Sequence, residues 1–271
     1  MERKQSGQPQ TEEDIYRKIS DMAEEQRDEL IQLRRDFHRY PETSWLEMRT
    51  SAKIAEYLTE LGMEVLTGKN VCREEARIGV PDPDILERHF SQVKEQGAPA
   101  RFLTEELEQG YTGVVGILRC GEGPTVALRF DIDALPMEEA EDLEHRPFRE
   151  GFSSQNPGMM HACGHDGHAA ILLNSVRLLC RRREELCGEL RFIFQHAEET
   201  PPGGAVEVIR AGVLKGVDEV FGLHLTSTLP TGSFGVCSGV LTSATDRFEI
   251  EITGRGGHSS MPQECIDPIV T

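Results

Sequence analysis

Apolar and polar positions along the first quarter of the chain follow a helical period. Residues 12–38 form a charged amphipathic pattern that predicts a single helix. Its apolar positions are Ile15, Ile19, Met22, Leu30, Ile31 and Leu33. Pro41 should stop this helix, because the residue before a proline is disfavoured in the helical conformation. Ser44–Glu47 has the spacing of a capping box and predicts a second helix ending near Gly62, followed by a short strand at Glu64–Thr67.

Residues 69–110 are rich in charge and interrupt this pattern. Pro81-Asp82-Pro83-Asp84 precedes a predicted helix at 84–95. A connection of this length is either functional or a small subdomain. Because the segment holds no cluster of candidate ligands, we interpret it as an insertion on the rim of the fold that forms a solvated helical excursion.

Further along the chain, short apolar runs alternate with helical patterns, which favours an α/β fold with a sheet flanked by helices. The predicted elements are strands at 113–119 and 125–130, a helix at about 166–186, a strand at 190–195, a short helix ending near Gly212 and a strand at 220–225. The first two strands are predicted to form a hairpin or to lie side by side. Strict alternation over residues 244–254 predicts the first strand of a new sheet.

Composition limits the partners and the compartment. The 271 residues include 47 acidic and 29 basic side chains, and a net charge of −18 would repel a phosphate backbone, so no nucleic-acid partner is expected. The polar first 13 residues lack the apolar core of a signal peptide, and no apolar run approaches the roughly 18 residues of a membrane span. Seven irregularly spaced cysteines indicate reduced thiols. These features predict a soluble cytoplasmic protein without a membrane partner.

The densest candidate chemistry lies in the octet His161–His168, which holds three histidines, Cys163 and Asp166. Imidazole, thiolate and carboxylate groups are ligands of zinc, manganese and cobalt. Two glycines allow the backbone to bend so that neighbouring side chains converge. A polar entry to the following helix is the alternative, but this density of ligand types favours a metal site.

Polar side chains also follow the predicted strands. Asp131 and Asp133 end one strand, where they could orient a ligand or a water, or could simply be solvated in a turn. Glu198 and Glu199 follow the next strand and point in different directions, which suits one carboxylate for metal binding and one for proton transfer. His224 lies within an apolar run and is predicted to be a buried ligand, with a satisfied core histidine as the alternative. Ligands collect at the carboxyl ends of strands in open α/β sheets, so these groups should converge.

Five segments together resemble the metal-dependent amidohydrolase family of aminoacylases, hippurate hydrolases and indole-acetyl-amino-acid hydrolases. They occur in family order at 129–136, 161–168, 194–199, 222–225 and 254–262. The chain departs from the family pattern in three places: the 69–110 insertion, Phe130 in place of a small residue, and His196 in place of proline.

The resemblance implies an α/β fold, with a mixed sheet flanked by helices like that of zinc peptidases. Residues 1–240 would form the catalytic domain, and residues 241–271 would begin a smaller α+β lid and dimerisation domain. It implies that one or two divalent ions (Zn, Mn or Co) are held by Cys163, His165, Glu199 and His224.

By the same resemblance, Glu198 is the general base, Asp133 orients the metal site and His258 of the lid stabilises the oxyanion, often in the partner subunit of a dimer. The substrate would be a small-molecule N-acyl amino acid or a similar amide, and the full-length protein would be a homo-oligomer. The family's lid and returning segment extend beyond Thr271, so we expect a truncated chain with weak or no activity by itself.

Three alternatives stay open. The first is a metal-binding or regulatory fragment that has lost its chemistry. The second is a dipeptidase or aminopeptidase of the same architecture, which would need an acidic group for a free amine. The third is a structural zinc protein, for which the chain lacks paired Cys-x-x-Cys spacing.

Overall fold

A computed structural model describes residues 11–243 and 248–270. The chain divides into two compact units, the first ending at Thr228 and the second beginning at Leu229. The functions predicted for the two parts, and their boundary after residue 240, stay predictions. None of the described helices is long and apolar enough to cross a membrane.

The first unit contains eight α-helices and five strands among its described residues. The helices are α1 (Glu12–Glu25), α2 (Arg27–Arg39), α3 (Met48–Glu60), α4 (Pro83–Glu95), α5 (Glu105–Glu108), α6 (Arg146–Arg149), α7 (His165–Arg181) and α8 (Ala205–Arg210). The strands are β1 (Glu64–Thr67), β2 (Val114–Arg119), β3 (Thr125–Asp131), β4 (Glu189–Gln195) and β5 (Glu219–Gly222). Single turns of 3₁₀-helix lie at Gly68–Asn70, Glu74–Ala76, Ala100–Phe102 and Arg183–Glu185.

The five strands form one mixed sheet in the order β1-β2-β4-β3-β5. β4 pairs antiparallel with β2 and parallel with β3, and β5 pairs parallel with β3. The predicted pairing of β2 with β3 is wrong, because β4 lies between them. β3, α7 and β4 form a strand–helix–strand unit, which places β4 parallel to β3 and fills the centre of the sheet with its apolar run.

Side chains on both faces of the sheet are buried, which confirms the predicted α/β class. One face packs with α3 and α7 in a cluster that includes Leu58, Leu172 and Phe192. The opposite face packs with α8 in a second cluster that includes Val115 and Val208. The central strands β2, β4 and β3 are therefore covered on both faces, whereas all four residues of the edge strand β5 are exposed.

The N-terminal pattern folds as two helices, so the prediction of one continuous helix over 12–38 is wrong. α1 ends and α2 begins around Gln26, whose backbone has φ −94° and ψ 0° and whose side chain is buried. No proline or glycine marks this break in the sequence. The break coincides with the burial of Gln26, which a helical pattern does not report.

The predicted capping box at Ser44–Glu47 is also wrong. α3 begins at Met48, and the carboxylate of Glu42 accepts hydrogen bonds from the backbone N–H groups of Arg49 and Thr50 at 2.9 and 2.8 Å. A buried carboxylate from the preceding loop therefore accepts the hydrogen bonds of N–H groups in the first turn of this helix. Ser44 donates its hydroxyl hydrogen to Asp133 instead.

Helix α4 forms near its predicted position, but it is not a solvated excursion. Leu86, Phe90 and Val93 lie one helical turn apart and are buried against residues of α3. His89 of the same helix contacts Glu42, with 2.8 Å between Nε2 and Oε1. That residues 69–110 are an insertion stays a prediction.

The second unit contains neither an α-helix nor a multi-residue strand within 229–243 and 248–270. It has a 3₁₀ turn at Pro262–Glu264 and an isolated bridge between Arg255 and Ile266. The strand predicted at 244–254 is absent over 248–254, and residues 244–247 lie outside the described part. Among the described residues no backbone pairs with 248–254, and Phe248 and Ile250 are exposed.

Candidate metal centre

Three loops that follow parallel strands, together with the loop that enters α7, carry the candidate ligands. Asp131 ends β3, and Glu198 and Glu199 follow β4. His224 lies two residues beyond β5. Because β3, β4 and β5 run parallel, their carboxyl ends lie at one edge of the sheet.

His165 belongs to three overlapping groups of potential metal ligands, one of which it forms with Asp131 and His168. The other two contain the predicted site residues. In one, the ligand atoms of Cys163, His165 and His224 lie within 4.8 Å of one another, and Cys163 Sγ is 3.5 Å from His224 Nε2. In the other, those of His165, Glu198 and Glu199 lie within 4.8 Å of one another. The structure thus brings together the four residues predicted as ligands and the one predicted as base, while their roles stay predictions.

Several buried polar atoms of the site make no hydrogen bond within the described residues, and this donor set fits a cation. Both ring nitrogens of His165, Oδ1 of Asp133 and Oε1 of Glu199 are buried and make no hydrogen bond within the described part of the chain. Leaving such a group unsatisfied costs about 1–3 kcal/mol. A divalent ion shared by imidazole, carboxylate and thiolate would satisfy them, and this mixture suits zinc, manganese or cobalt.

A left-handed turn makes the convergence possible. Gly164 has a φ of +86°, a conformation that a side chain rarely adopts, and a Cβ there would lie 3.2 Å from Cβ of Leu225. α7 begins at the next residue, His165. The turn therefore lets Cys163 and His165, two residues apart, face the same point.

Asp133 connects three parts of the site. Its Oδ2 accepts hydrogen bonds from Ser44 Oγ at 2.7 Å and from the backbone N–H of Glu199 at 2.9 Å, and its Oδ1 lies 3.3 Å from His165 Nδ1. Burial would raise the pKa of Asp133, but His165 and the two donors lower it. A carboxylate held in this way can orient His165 and the Glu199 loop, as its predicted role requires.

The sequence reasoning gave no role to His168, which the structure places beside the site. His168 Nδ1 lies 2.5 Å from Asp131 Oδ1, and Nε2 accepts the backbone N–H of Leu225 at 2.8 Å. His168 therefore connects β3 to the loop that carries His224. The spacing in the sequence could have indicated this position, because His168 lies one helical turn beyond His165 on α7 and therefore on the same side of the helix.

The carboxylates determine the protonation of the ligands. Burial opposes a charge on His165, but Asp133 and Asp131 outweigh burial and raise its pKa to about 9. Burial and the charge of Glu199 raise the pKa of Cys163 to about 12. Without a cation, both residues hold protons at pH 7, and a bound ion must displace them.

Two predicted residues differ in their surroundings from expectation. His224 is not buried within a strand, because β5 ends at Gly222 and His224 is exposed, with Nδ1 2.6 Å from the carbonyl oxygen of Leu225. His258 lies in the second unit, where it is exposed and its Nδ1 accepts the backbone N–H of Ser260 at 3.2 Å. Its predicted contribution to catalysis stays a prediction.

Comparisons with known proteins agree with this geometry. The model of one family, described as "Peptidase family M20/M25/M40", matches residues 127–270. The chain is 43% identical over 232 residues to an indole-3-acetyl-aspartic acid hydrolase of Enterobacter agglomerans. It is 42% identical over 232 residues to one of the subunits of p-aminobenzoyl-glutamate hydrolase of Escherichia coli. Each alignment covers 85% of this chain and 52% of the relative.

A solved structure shares the fold as well. The chain superposes on a Bacillus subtilis protein described as a dinuclear metal binding peptidase from the M20 family, with a TM-score of 0.58 and 36% identity, covering 78% of this chain and 47% of that one. The resemblance inferred from the five segments is confirmed. The chain spans about half the length of the curated relatives it matches.

Proposed function

The chain belongs to peptidase family M20/M25/M40, and from this premise we propose that it provides the metal centre of an amidohydrolase acting on N-acyl amino acids or similar small amides. The observation that carries the proposal is the position of His165. Its ligand atoms lie within 4.8 Å of those of Cys163 and His224 in one group and of Glu198 and Glu199 in another, and both its ring nitrogens are buried without a hydrogen bond among the described residues.

We assign one or two divalent ions to Cys163, His165, Glu199 and His224. When bound, such an ion polarises an amide carbonyl and lowers the pKa of a coordinated water towards about 7. Zinc, manganese and cobalt all suit these ligands. Support comes from the Bacillus subtilis relative, whose description names a dinuclear metal centre.

Glu198 is the proposed general base. Its side chain lies at the edge of the site and is only partly covered by other residues. This partial burial and the charges of Asp131 and Glu199 raise the pKa of Glu198. A raised pKa brings a carboxylate closer to the working pH, where it can take a proton from water and return it to the leaving amine. Asp133 would hold His165 and the Glu199 loop in place, and His258 would donate to the oxyanion.

The substrate class follows from the relatives' names together with the site. Indole-3-acetyl-aspartic acid and p-aminobenzoyl-glutamate are both small molecules in which an acyl group is joined to an amino acid. The net charge of −18 argues against nucleic acid. We further propose a cytoplasmic location, which the irregularly spaced, reduced-type cysteines support. We also propose a homo-oligomeric assembly, for which the family resemblance is the support.

The decisive experiment separates metal binding from chemistry. The protein, Glu198→Gln and Glu199→Gln would be loaded with Zn²⁺, Mn²⁺ or Co²⁺, assayed for metal content by mass spectrometry and tested on a panel of N-acyl amino acids. We expect Glu198→Gln to keep its metal and lose hydrolysis, and Glu199→Gln to lose metal. The exposed Glu219→Gln is the matched control and should change neither.

Two outcomes would contradict the proposal. Loss of metal in Glu198→Gln, with retention in Glu199→Gln, would show that the two roles are exchanged. Hydrolysis that persists in metal-loaded Glu198→Gln would show that Glu198 is not the general base.

A further inference from the structure

A second group of ligand-type side chains lies outside the site described above. Cys72 follows the 3₁₀ turn at Gly68–Asn70, His196 follows β4, and Glu207 is on α8. Their ligand atoms lie within 4.8 Å of one another, and each residue is at most 1% exposed. We propose that this triad, Cys72–His196–Glu207, binds a divalent d-block cation of the zinc and cobalt type.

The main argument is that buried polar atoms in the triad have no partners. Neither ring nitrogen of His196 makes a hydrogen bond, nor does Oε2 of Glu207, within the residues the structure describes. Burying polar atoms without a hydrogen bond is costly, and here three such atoms lie in one place. A cation bound by the imidazole and the carboxylate would remove most of this cost.

The spacing also fits a metal rather than a hydrogen bond. His196 Nε2 and Glu207 Oε2 are 3.8 Å apart, which is too long for a hydrogen bond. An imidazole nitrogen and a carboxylate oxygen, each about 2.0–2.2 Å from a tetrahedral zinc, lie roughly 3.3–3.6 Å from one another. A small adjustment of Glu207 would bring the pair to this distance.

The His196 ring is held by close packing. A Cβ on Gly113 would lie 2.7 Å from its Nδ1, and a Cβ on Gly204 would lie 3.0 Å from its Nε2. Trp45 packs edge-on, with 5.1 Å between ring centroids. Burial lowers the pKa of His196 to about 4, so the ring is neutral at pH 7, the form that binds metal.

The charges around the triad leave room for a cation. Burial raises the pKa of Glu207 to about 7 and that of Cys72 to about 12. Arg77 is the positive charge that acts on both, but its guanidinium stacks on Tyr111, 4.0 Å from the ring centroid. Among the described contacts, no arginine or lysine forms an ion pair with Glu207, so an entering cation would displace a proton from Glu207 rather than a basic side chain.

Such an ion would connect the loop after β1, the end of β4 and α8 directly behind the Glu198–Glu199 pair. The triad shares no ligand with the first site. The ion would therefore have a structural effect, fixing the segment that presents the two glutamates, rather than acting on a substrate.

Cobalt spectroscopy tests the proposal without reference to activity. Because Cys163 would also give a sulfur-to-cobalt absorption, the titration uses Cys163→Ser, in which that signal is removed. We expect a sulfur-to-cobalt band to persist in Cys163→Ser and to disappear when Cys72→Ser is added. Cys120→Ser in the same background is the matched control and should keep the band.

A second variant covers the case in which Cys72→Ser fails to fold, which circular dichroism would detect. Glu207→Gln in the Cys163→Ser background preserves side-chain volume. It should weaken the cobalt affinity, read from the sulfur-to-cobalt band, by roughly ten-fold or more. Mutating even a group that only orients a ligand changes metal affinity by about 10–100-fold. No sulfur-to-cobalt band in folded Cys163→Ser would overturn the proposal. So would a band that survives Cys72→Ser, or a cobalt affinity that Glu207→Gln leaves unchanged.

Discussion

A buried glutamate beneath the metal centre makes the stability of the chain depend on pH. Glu47 is completely buried, and its Oε1 accepts the backbone N–H of Ala197 at 2.7 Å while its Oε2 accepts the hydroxyl of Thr112 at 2.6 Å. Burial and the charge of Asp133 raise its pKa from 4.5 to about 8. These raising effects outweigh the two hydrogen bonds, which favour the charged form.

The direction of the effect follows from proton binding. A carboxyl group whose folded-state pKa is raised binds its proton more tightly in the folded state, so its contribution to stability is greatest at low pH and is lost as pH rises from 4.5 to 8. One pKa unit corresponds to about 1.4 kcal/mol. The loss by pH 7 is therefore about 3 kcal/mol, in a protein whose total stability is on the order of 5–15 kcal/mol.

Glu47→Gln should remove this loss. The amide stays neutral, can accept from Ala197 and can donate to Thr112, so the variant should be more stable than the wild type by about 3 kcal/mol at pH 7 and by under about 1 kcal/mol at pH 5. Urea unfolding at pH 5, 6, 7 and 8, with a chelator present, measures the difference. Trp45, the only tryptophan, is 1% exposed and supplies the fluorescence signal.

Glu122 is exposed, and Glu122→Gln is the control. The free energy of unfolding of this variant, plotted against pH, should run parallel to that of the wild type. The reasoning would be refuted if Glu47→Gln were no more stable than the wild type at pH 8. A gain in stability that did not change between pH 5 and pH 8 would refute it equally.

Three further predictions concern other buried groups. Glu42→Ala removes the acceptor of two buried N–H groups at the start of α3 and should destabilise the protein by about 3–5 kcal/mol in urea unfolding, with Glu42→Gln milder. Binding of a divalent ion at pH 7 should release one to two protons from Cys163 and His165, measured with a pH indicator in weak buffer, and its affinity should rise with pH. Gly113→Ala places a Cβ against His196 and should lower stability by about 1–3 kcal/mol, seen as a lower Tm.

Each of these has an outcome that would contradict it. Equal stability of Glu42→Ala and the wild type would mean that water replaces the carboxylate. Metal binding without proton release would mean that the ligands are already deprotonated. An unchanged Tm for Gly113→Ala would mean that the His196 ring can move aside.

The edge of the sheet where the chemistry collects was predictable, because parallel strands bring their carboxyl ends together whatever their order. To predict that the octet and the Glu198–Glu199 pair lie close together, that rule and the chemistry of their side chains were sufficient. The order of the strands was not predictable, since the apolar run of β4 pairs equally well at an edge or in the centre. The contribution of Glu42 to α3 was missed because a capping box was available nearby in the sequence.

The buried groups behind the site were missed for another reason. Cys72, His196 and Glu207 carry no common spacing, and they meet only because a loop, a strand end and a helix pack together. Sequence patterns report which face of an element is apolar. They do not report which distant polar side chains will be enclosed with each other.

The position of β4 between β2 and β3 affects the order in which the protein can assemble. Val114 on β2 pairs with Phe194, and Thr125 on β3 pairs with Glu189, so neither strand has its main partner until the ribosome has passed the octet and α7. Closing such long loops precedes the contacts that stabilise them, which slows folding. Nascent chains that stop before residue 189 should therefore be sensitive to protease, with resistance appearing abruptly once β4 has left the ribosome.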